Sequence, residues 1–214
     1  MTPKEENTRK KLIKAASDLF VELGYDAISV RQIASKAGVN LASINYYFGG
    51  KQKLLGEVLK KTYFQLEKRI ELLIHESPED TFTDSVQRLF DLFNLPDFRR
   101  SFLNHFKIFL NEEVGFKPLE YQRKEHEPPG FQTLMNKLTS EAGSKISNED
   151  KVWLVKIILT FINHHTLLRE VLDPGSHTNG SLLNTTTIKN DLLKLTKIQL
   201  NALSNNEMLQ ENPS

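Results

Sequence analysis

The 214-residue sequence contains no cysteine. That excludes a disulfide framework, a thiolate nucleophile and a cysteine metal site, and it is compatible with an intracellular setting. No apolar run approaches the roughly 18 residues of a membrane span. The opening MTPKEENTRKK has none of the apolar core of a signal peptide. The expectation is a cytoplasmic protein with no membrane partner. HExxH, a glycine-rich phosphate loop and a recognisable nucleophile constellation are also missing, so no catalytic residue is assigned and an enzyme is not expected. His164-His165 invites a metal or acid-base role. Neighbours on a helix point about 100° apart, however, and chelate one ion poorly. A structural or interface role is expected for the pair, with no metal and no cofactor.

Neither sign of charge dominates, because the net is +1. That balance argues against a generic nucleic-acid binder until it is divided along the chain. Residues 1–65 hold 11 Lys and Arg against 6 Asp and Glu, a balance of +5, while the remainder holds 17 against 21, a balance of −4. A DNA-binding head on a neutral-to-acidic body has this asymmetry, although an excess of that size also occurs in unrelated domains. The 39% hydrophobic content suffices to fill a core, and the length fits one large helical domain or two modest ones.

What is present is concentrated in residues 29–51, SVRQIASKAGVNLASINYYFGGK. Ser29 can cap a helix of about two turns in which Val30, Ile33, Ala34 and Ala37 share one face. Gly38 readily takes the left-handed backbone, Val39 can bury the corner, and Asn40 can cap a second short helix with Leu41, Ile44 and Phe48 on its apolar stripe. Two short helices joined by a glycine turn make a helix-turn-helix. The second leaves Ala42, Ser43, Asn45, Tyr46 and Tyr47 to other faces and can enter a DNA major groove. There Asn45 can pair two-pronged with adenine, Ser43 can bond several bases and Ala42 can touch a thymine methyl.

Residues 8–60, from TRKKLIKAASDLFVELGYDAISV through RQIASKAGV to INYYFGGKQKLLGEVL, resemble the tetracycline-repressor (TetR) family of bacterial transcriptional regulators. The resemblance is carried by an ordered set: Arg9, Ala15-Ala16, Phe20, Gly24-Tyr25, Ile33-Ala34, Gly38-Val39, Tyr47-Phe48 and Lys51. Asn45 departs from it, since many members carry an aromatic there, so operator specificity does not carry over from the name-giving member. The resemblance implies DNA contacts by Arg31, Leu41, Ala42, Ser43, Asn45, Tyr46, Tyr47 and Lys51. Tyr46, Tyr47 and Lys51 suit phosphate contacts, and Ser43 and Asn45 suit base readout. The competing readings are a core or hinge role for each tyrosine and a solvated surface charge for Arg31 and Lys51.

Along the rest of the chain, residues 1–7 are expected to be disordered up to Thr8, which can cap helix 1 or touch a phosphate. Leu12, Ala15, Ala16, Leu19, Phe20 and Leu23 form its stripe, and Gly24 ends it. A fourth helix runs from about Lys51 to His75, with an unexplained Gly56 inside it. Ser77 and Pro78 read as the start of the next helix, with Phe82, Val86, Leu89, Phe90 and Phe93 on one side. Asp97 can cap a further helix carrying Phe98, Phe102, Phe106, Phe109 and Leu110. The 110–130 segment is punctuated by Gly115, Pro118 and EPPG. Phe131, Leu134, Met135 and Leu138 resume a helix ended near Gly143, another spans about 149–172, and DPGSHTNGS at 173–181 is a loop. The last helix begins at Thr186 or Thr187.

The reading is all-α with about nine helices. Residues 1–50 form a three-helix DNA-binding domain, joined by a long helix to a helical effector-binding and dimerisation domain at 51–214. The last two long helices are more apolar than a small monomer needs, and in TetR-like proteins the corresponding pair forms a four-helix dimer interface. A two-fold homodimer reads a palindromic operator in successive major grooves. The middle helices are expected to enclose an effector, with Phe102, Phe106, Phe109, Phe131 and Met135 favouring an apolar molecule and His105 orienting it. A packed aromatic core is the competing reading of the same stripe. The function expected is a ligand-responsive regulator, a repressor in most families of this kind. The alternative is a chromosome-attached interaction protein whose helical body binds a protein partner.

Overall fold

The structure is a computed structural model that describes residues 2–23, 27–109, 127–172 and 184–210. The expectations placed on Gly24-Tyr25, on Leu110 and the segment to residue 126, and on the 173–181 loop lie outside the described residues. Among the described residues are nine α-helices and no strand: α1 (Pro3–Leu23), α2 (Val30–Ala37), α3 (Ala42–Phe48), α4 (Lys51–His75), α5 (Phe82–Asn94), α6 (Pro96–Phe109), α7 (Phe131–Ala142), α8 (Asn148–Leu172) and α9 (Thr185–Gln210). No described helix is long and apolar enough to cross a membrane. The described residues form two compact units, one within 1–65 and 101–126 and the other within 66–100 and 127–214.

Several helices start where side-chain caps hold them, and the caps correct the expected boundaries. α1 opens at Pro3, well before Thr8. Thr2 is its cap: its hydroxyl accepts the Glu5 N–H at 3.3 Å while the Glu5 carboxylate accepts the Thr2 N–H at 2.6 Å. Thr8 instead donates its hydroxyl to the Lys4 carbonyl at 3.0 Å. α5 opens at Phe82, not at Ser77–Pro78, because Thr81 and Asp84 make a capping box that Ser77 lacks. Ser77–Asp80 close a turn, with the Asp80 N–H on the Ser77 carbonyl at 3.1 Å. The Thr81 hydroxyl and N–H hold the Asp84 carboxyl below its usual value.

In α6 Pro96 occupies the first helical position and Asp97 falls inside the first turn instead of capping it. α8 is capped by Ser147, whose hydroxyl accepts the Asp150 N–H at 3.1 Å. The last helix opens at Thr185, with Asn184 accepting the Thr187 N–H at 3.1 Å.

The first unit is built on one apolar cluster: Leu12, Ala15, Ala16, Leu19 and Phe20 of α1, Ile33 and Ala34 of α2, Ile44 and Phe48 of α3, and Leu54, Leu55, Val58 and Leu59 of α4. In the second unit the stripe Phe82, Val86, Leu89, Phe90 and Phe93 is buried as expected. Phe93 meets Phe98 at 4.7 Å between ring centroids. The fully buried guanidinium of Arg99 donates to the Glu170 carboxylate at 3.0 Å and to the Asn94 carbonyl at 2.9 Å. A charge buried this deeply persists only when so paired.

Two glycines behave oppositely. Gly130 has φ +89°, donates its N–H to Glu67 at 2.9 Å, and would place a Cβ 3.4 Å from the Ile70 side chain. Gly56 sits in regular α4 with nothing within 4 Å of a Cβ position. Gly130→Ala should therefore cost about 1–3 kcal/mol, and Gly56→Ala should gain up to about 1 kcal/mol. Urea unfolding midpoints moving in opposite directions are the check.

Candidate nucleic-acid interface

The helix-turn-helix follows from local chemistry. Ser29 caps α2 by accepting the Gln32 N–H at 3.2 Å while the Gln32 side chain accepts the Ser29 N–H at 2.7 Å. Gly38 ends α2 at φ +64°, which frees its N–H for the Ser35 carbonyl at 3.1 Å and the Val39 N–H for the Ala34 carbonyl at 3.0 Å. The Asn40 side chain accepts the Ala42 N–H at 2.8 Å, although Leu41 is the residue at the helix boundary. Gly49 stops α3 after seven residues, at φ +72° with its N–H on the Asn45 carbonyl at 2.8 Å. The Gly49-Gly50 run was the available signal for this stop.

Burial divides α3 into two faces. Ile44 and Phe48, four residues apart, are buried. Ala42, Asn45 and Tyr46 occupy the exposed face at steps of three and four, with Tyr46 at 74% exposure. Ser43 and Tyr47 form the half-buried flank. The two tyrosine rings meet edge to face at 4.9 Å, so Tyr46 is no core residue while Tyr47 packs partly against the cluster. Leu41 is exposed just before α3, Arg31 is exposed in the first turn of α2, and Lys51 is the half-buried first residue of α4.

The surrounding charge is only partly balanced by ion pairs. Lys10 pairs with Glu6 at 2.6 Å and Lys36 with Glu22 at 3.2 Å. Lys4, Lys11 and Lys14 are exposed along α1. Arg9, singled out by the motif but given no role, donates to the Glu57 carboxylate of α4 and lies over the Phe48 ring, 5.2 Å from its centroid. Such an arrangement offers what a groove-entering helix requires: an apolar anchor on one side, hydrogen-bonding and aromatic side chains on the other, and cations around them.

The effector candidates are distributed differently. On α6 Phe102 is buried and stacks on half-buried Phe106 at 6.5 Å between centroids. The side chains of His105 and Phe109 lie outside the described residues. In the second unit Phe131 and Met135 are buried on α7, and the Lys156 ammonium stands 5.9 Å from the Phe131 ring centroid. Among the described residues of that unit lie grooves of about 570 Å³ beside Thr83, Leu138 and Lys197 and about 480 Å³ beside Glu71, His75 and Asn136. None of the six candidates lines either groove.

Among the described residues no three His, Cys, Asp or Glu gather as metal ligands. His164 is exposed and His165 buried, so the two face different surroundings. His165 stacks on Phe90 at 5.1 Å and its Nε2 has no hydrogen-bond partner among the described residues. Burial, then the Arg169 and Arg99 charges, push its pKa down to about 4.

Residues 12–58 match the family described as "Bacterial regulatory proteins, tetR family". The chain is 36% identical over 87 residues to the "Probable HTH-type transcriptional regulator YttP" of Bacillus subtilis, a match covering 40% of this chain and 42% of that protein. The aligned part is thus well under two thirds of the relative. Two crystal structures share the fold along most of the chain. A TetR-family protein from Mesorhizobium loti aligns with TM-score 0.64 and 17% identity over 94% of this chain and 98% of its own. The transcriptional regulator FadR from Bacillus subtilis, in complex with stearoyl-CoA, aligns with TM-score 0.61 and 21% identity over 87% and 96%.

His165 gives this fold a pH dependence of definite sign. It is neutral when folded and protonates below pH 6.5 once unfolded, so stability is present at neutral pH and is lost as pH falls from about 6.5 to about 4. Relative to His165→Gln, the wild type should lose up to about 3 kcal/mol across that window, read from denaturant unfolding at each pH.

Proposed function

The chain belongs to the tetR family of bacterial regulatory proteins, and from that membership we propose a dimeric, ligand-responsive transcriptional regulator that acts as a repressor. In this reading residues 1–50 read DNA and residues 51–214 carry effector binding and dimerisation. One observation carries it: a seven-residue helix bounded by a capping asparagine and a left-handed glycine buries Ile44 and Phe48 and turns Ala42, Asn45 and Tyr46 outward. Asn45 and Ser43 read base edges, Ala42 and Leu41 make apolar contacts, and Arg31, Tyr46, Tyr47 and Lys51 hold phosphates.

Dimerisation is supported by apolar side chains that a monomer leaves in water. Trp153 and Ile157 on α8, and Leu195 and Ile198 on α9, are each about half exposed at helical spacing. A two-fold dimer through these helices pairs two reading heads on a palindrome. The effector is a largely apolar molecule, and the side chains offered for it are Phe102, His105, Phe106 and Phe109 of α6 and, in the other unit, Phe131 and Met135 of α7. Stearoyl-CoA, present in the FadR complex, joins a charged coenzyme to a long apolar acyl chain, and it is the acyl chain that is of that apolar class. Binding favours one of two states of the body, and α4, continuous from Lys51 to His75, passes the difference to the head. The site of action is the cytoplasm, where the chromosome lies. The interaction-protein alternative draws no support from the relatives.

Selection of bound sequences from a random duplex pool tests the DNA reading. The wild type should enrich a palindrome and Asn45→Ala should relax it at particular positions, losing about 1–3 kcal/mol of discrimination there. Salt-sensitive binding with no enriched site would refute sequence-specific readout. For the dimer, Trp153→Glu should shift sedimentation from dimer to monomer and weaken binding to the palindrome roughly tenfold or more.

A further inference from the structure

We propose that Arg9 is a positioning residue of the reading helix, through which Glu57 of α4 sets the orientation of α3 by way of Phe48. The inference rests on the DNA-reading function proposed above. An α3 of seven residues is far shorter than a helix that persists alone, so its orientation is whatever its packing imposes. Its last residue, Phe48, is buried on the common cluster, and the Arg9 guanidinium lies over the ring, 5.2 Å from its centroid. The same guanidinium donates through Nη2 to the Glu57 carboxylate. One side chain of α1 therefore touches both the end of the reading helix and the helix that runs on toward the body.

The chemistry of the pair favours positioning over phosphate binding. A guanidinium is planar, so it can stack on a ring and donate in its own plane at once, which a lysine ammonium cannot. The Arg9 and Glu57 side chains are 32% and 38% exposed, and an ion pair that open contributes little stability by itself. Its effect is geometric: it fixes the guanidinium where it covers Phe48. An arginine near the start of a basic first helix would ordinarily be read as a phosphate contact. Here its charge is already balanced by Glu57, so it has no DNA counterions to displace when the head binds.

That difference is measurable. Affinity would be determined for the duplex enriched by the wild type and for a random duplex of equal length, each across a salt series, using the full-length chain. Arg9→Gln should weaken the enriched duplex roughly 5- to 30-fold, leave the random duplex within about twofold, and leave the slope of log affinity against log salt unchanged. Arg9→Lys should restore little. Glu57→Gln should also weaken the enriched duplex, although it removes a negative charge from a DNA-binding head.

Equal losses on both duplexes with the salt slope reduced by about one would make Arg9 a phosphate contact and overturn the inference. Unchanged affinity in both variants would overturn it too. Circular dichroism separates misfolding from repositioning, and if Arg9→Gln does not fold, Glu57→Gln alone decides. A wild type that enriches no duplex removes the DNA-reading function and this inference together. A wild type that enriches one while its variants match it removes this inference alone.

Discussion

The burial of Ile44 and Phe48 is the contact on which the proposed reading surface depends. Seven residues provide too few internal hydrogen bonds to offset the cost of fixing their backbone, so α3 is helical because two of its side chains leave water among Leu12, Ala16, Phe20 and the α4 leucines. The short length is set by Asn40 at one end and Gly49 at the other. Everything the helix presents outward is a by-product of which two residues point inward. A head of this kind is rigid because its cluster is shared by four helices, none of which can shift without exposing apolar surface.

The second unit solves a different problem, that of holding charge inside an aromatic core. Arg99 is buried among phenylalanine-bearing helices and keeps its charge through Glu170 and the Asn94 carbonyl. His165, close by, takes the other course and stays neutral against Phe90. Burial first, and then the guanidinium groups already present, keep His165 from taking a further positive charge, whereas Arg99 keeps its own through the Glu170 carboxylate.

Much of this was legible in the chain of residues. The apolar stripes of α2 and α3, the glycine turn at Gly38 and the limits of α4 follow from periodicity and glycine placement alone. The helix starts were harder, because a cap is a competition between nearby candidates. Ser77 and Thr81 both precede acidic residues, and what separates them is the reciprocal bond between Thr81 and Asp84, a spacing of three that Ser77 shares with Asp80 without forming the box. At α1 it is likewise the reciprocal bonds of Thr2 and Glu5 that set the start, while the Thr8 hydroxyl bonds back to the Lys4 carbonyl. The Arg9, Glu57 and Phe48 contact joins residues 39 and 48 positions apart from Arg9 through three-dimensional packing, which no local pattern encodes. The aromatic residues of α6 and α7 belong to stripes whose periodicity is the same whether they line a cavity or fill a core.

The two faces of α3 also bear on how such a protein can change over generations. Ala42, Asn45 and Tyr46 contribute almost nothing to the cluster that holds the helix in place. Substitutions there are nearly free of folding consequences, whereas those at Ile44, Phe48 or the bounding glycines are not. On the proposed reading of that face, a lineage can drift through many recognition surfaces on one unchanged scaffold, so duplicated copies can part company in what they bind long before they differ in how they fold.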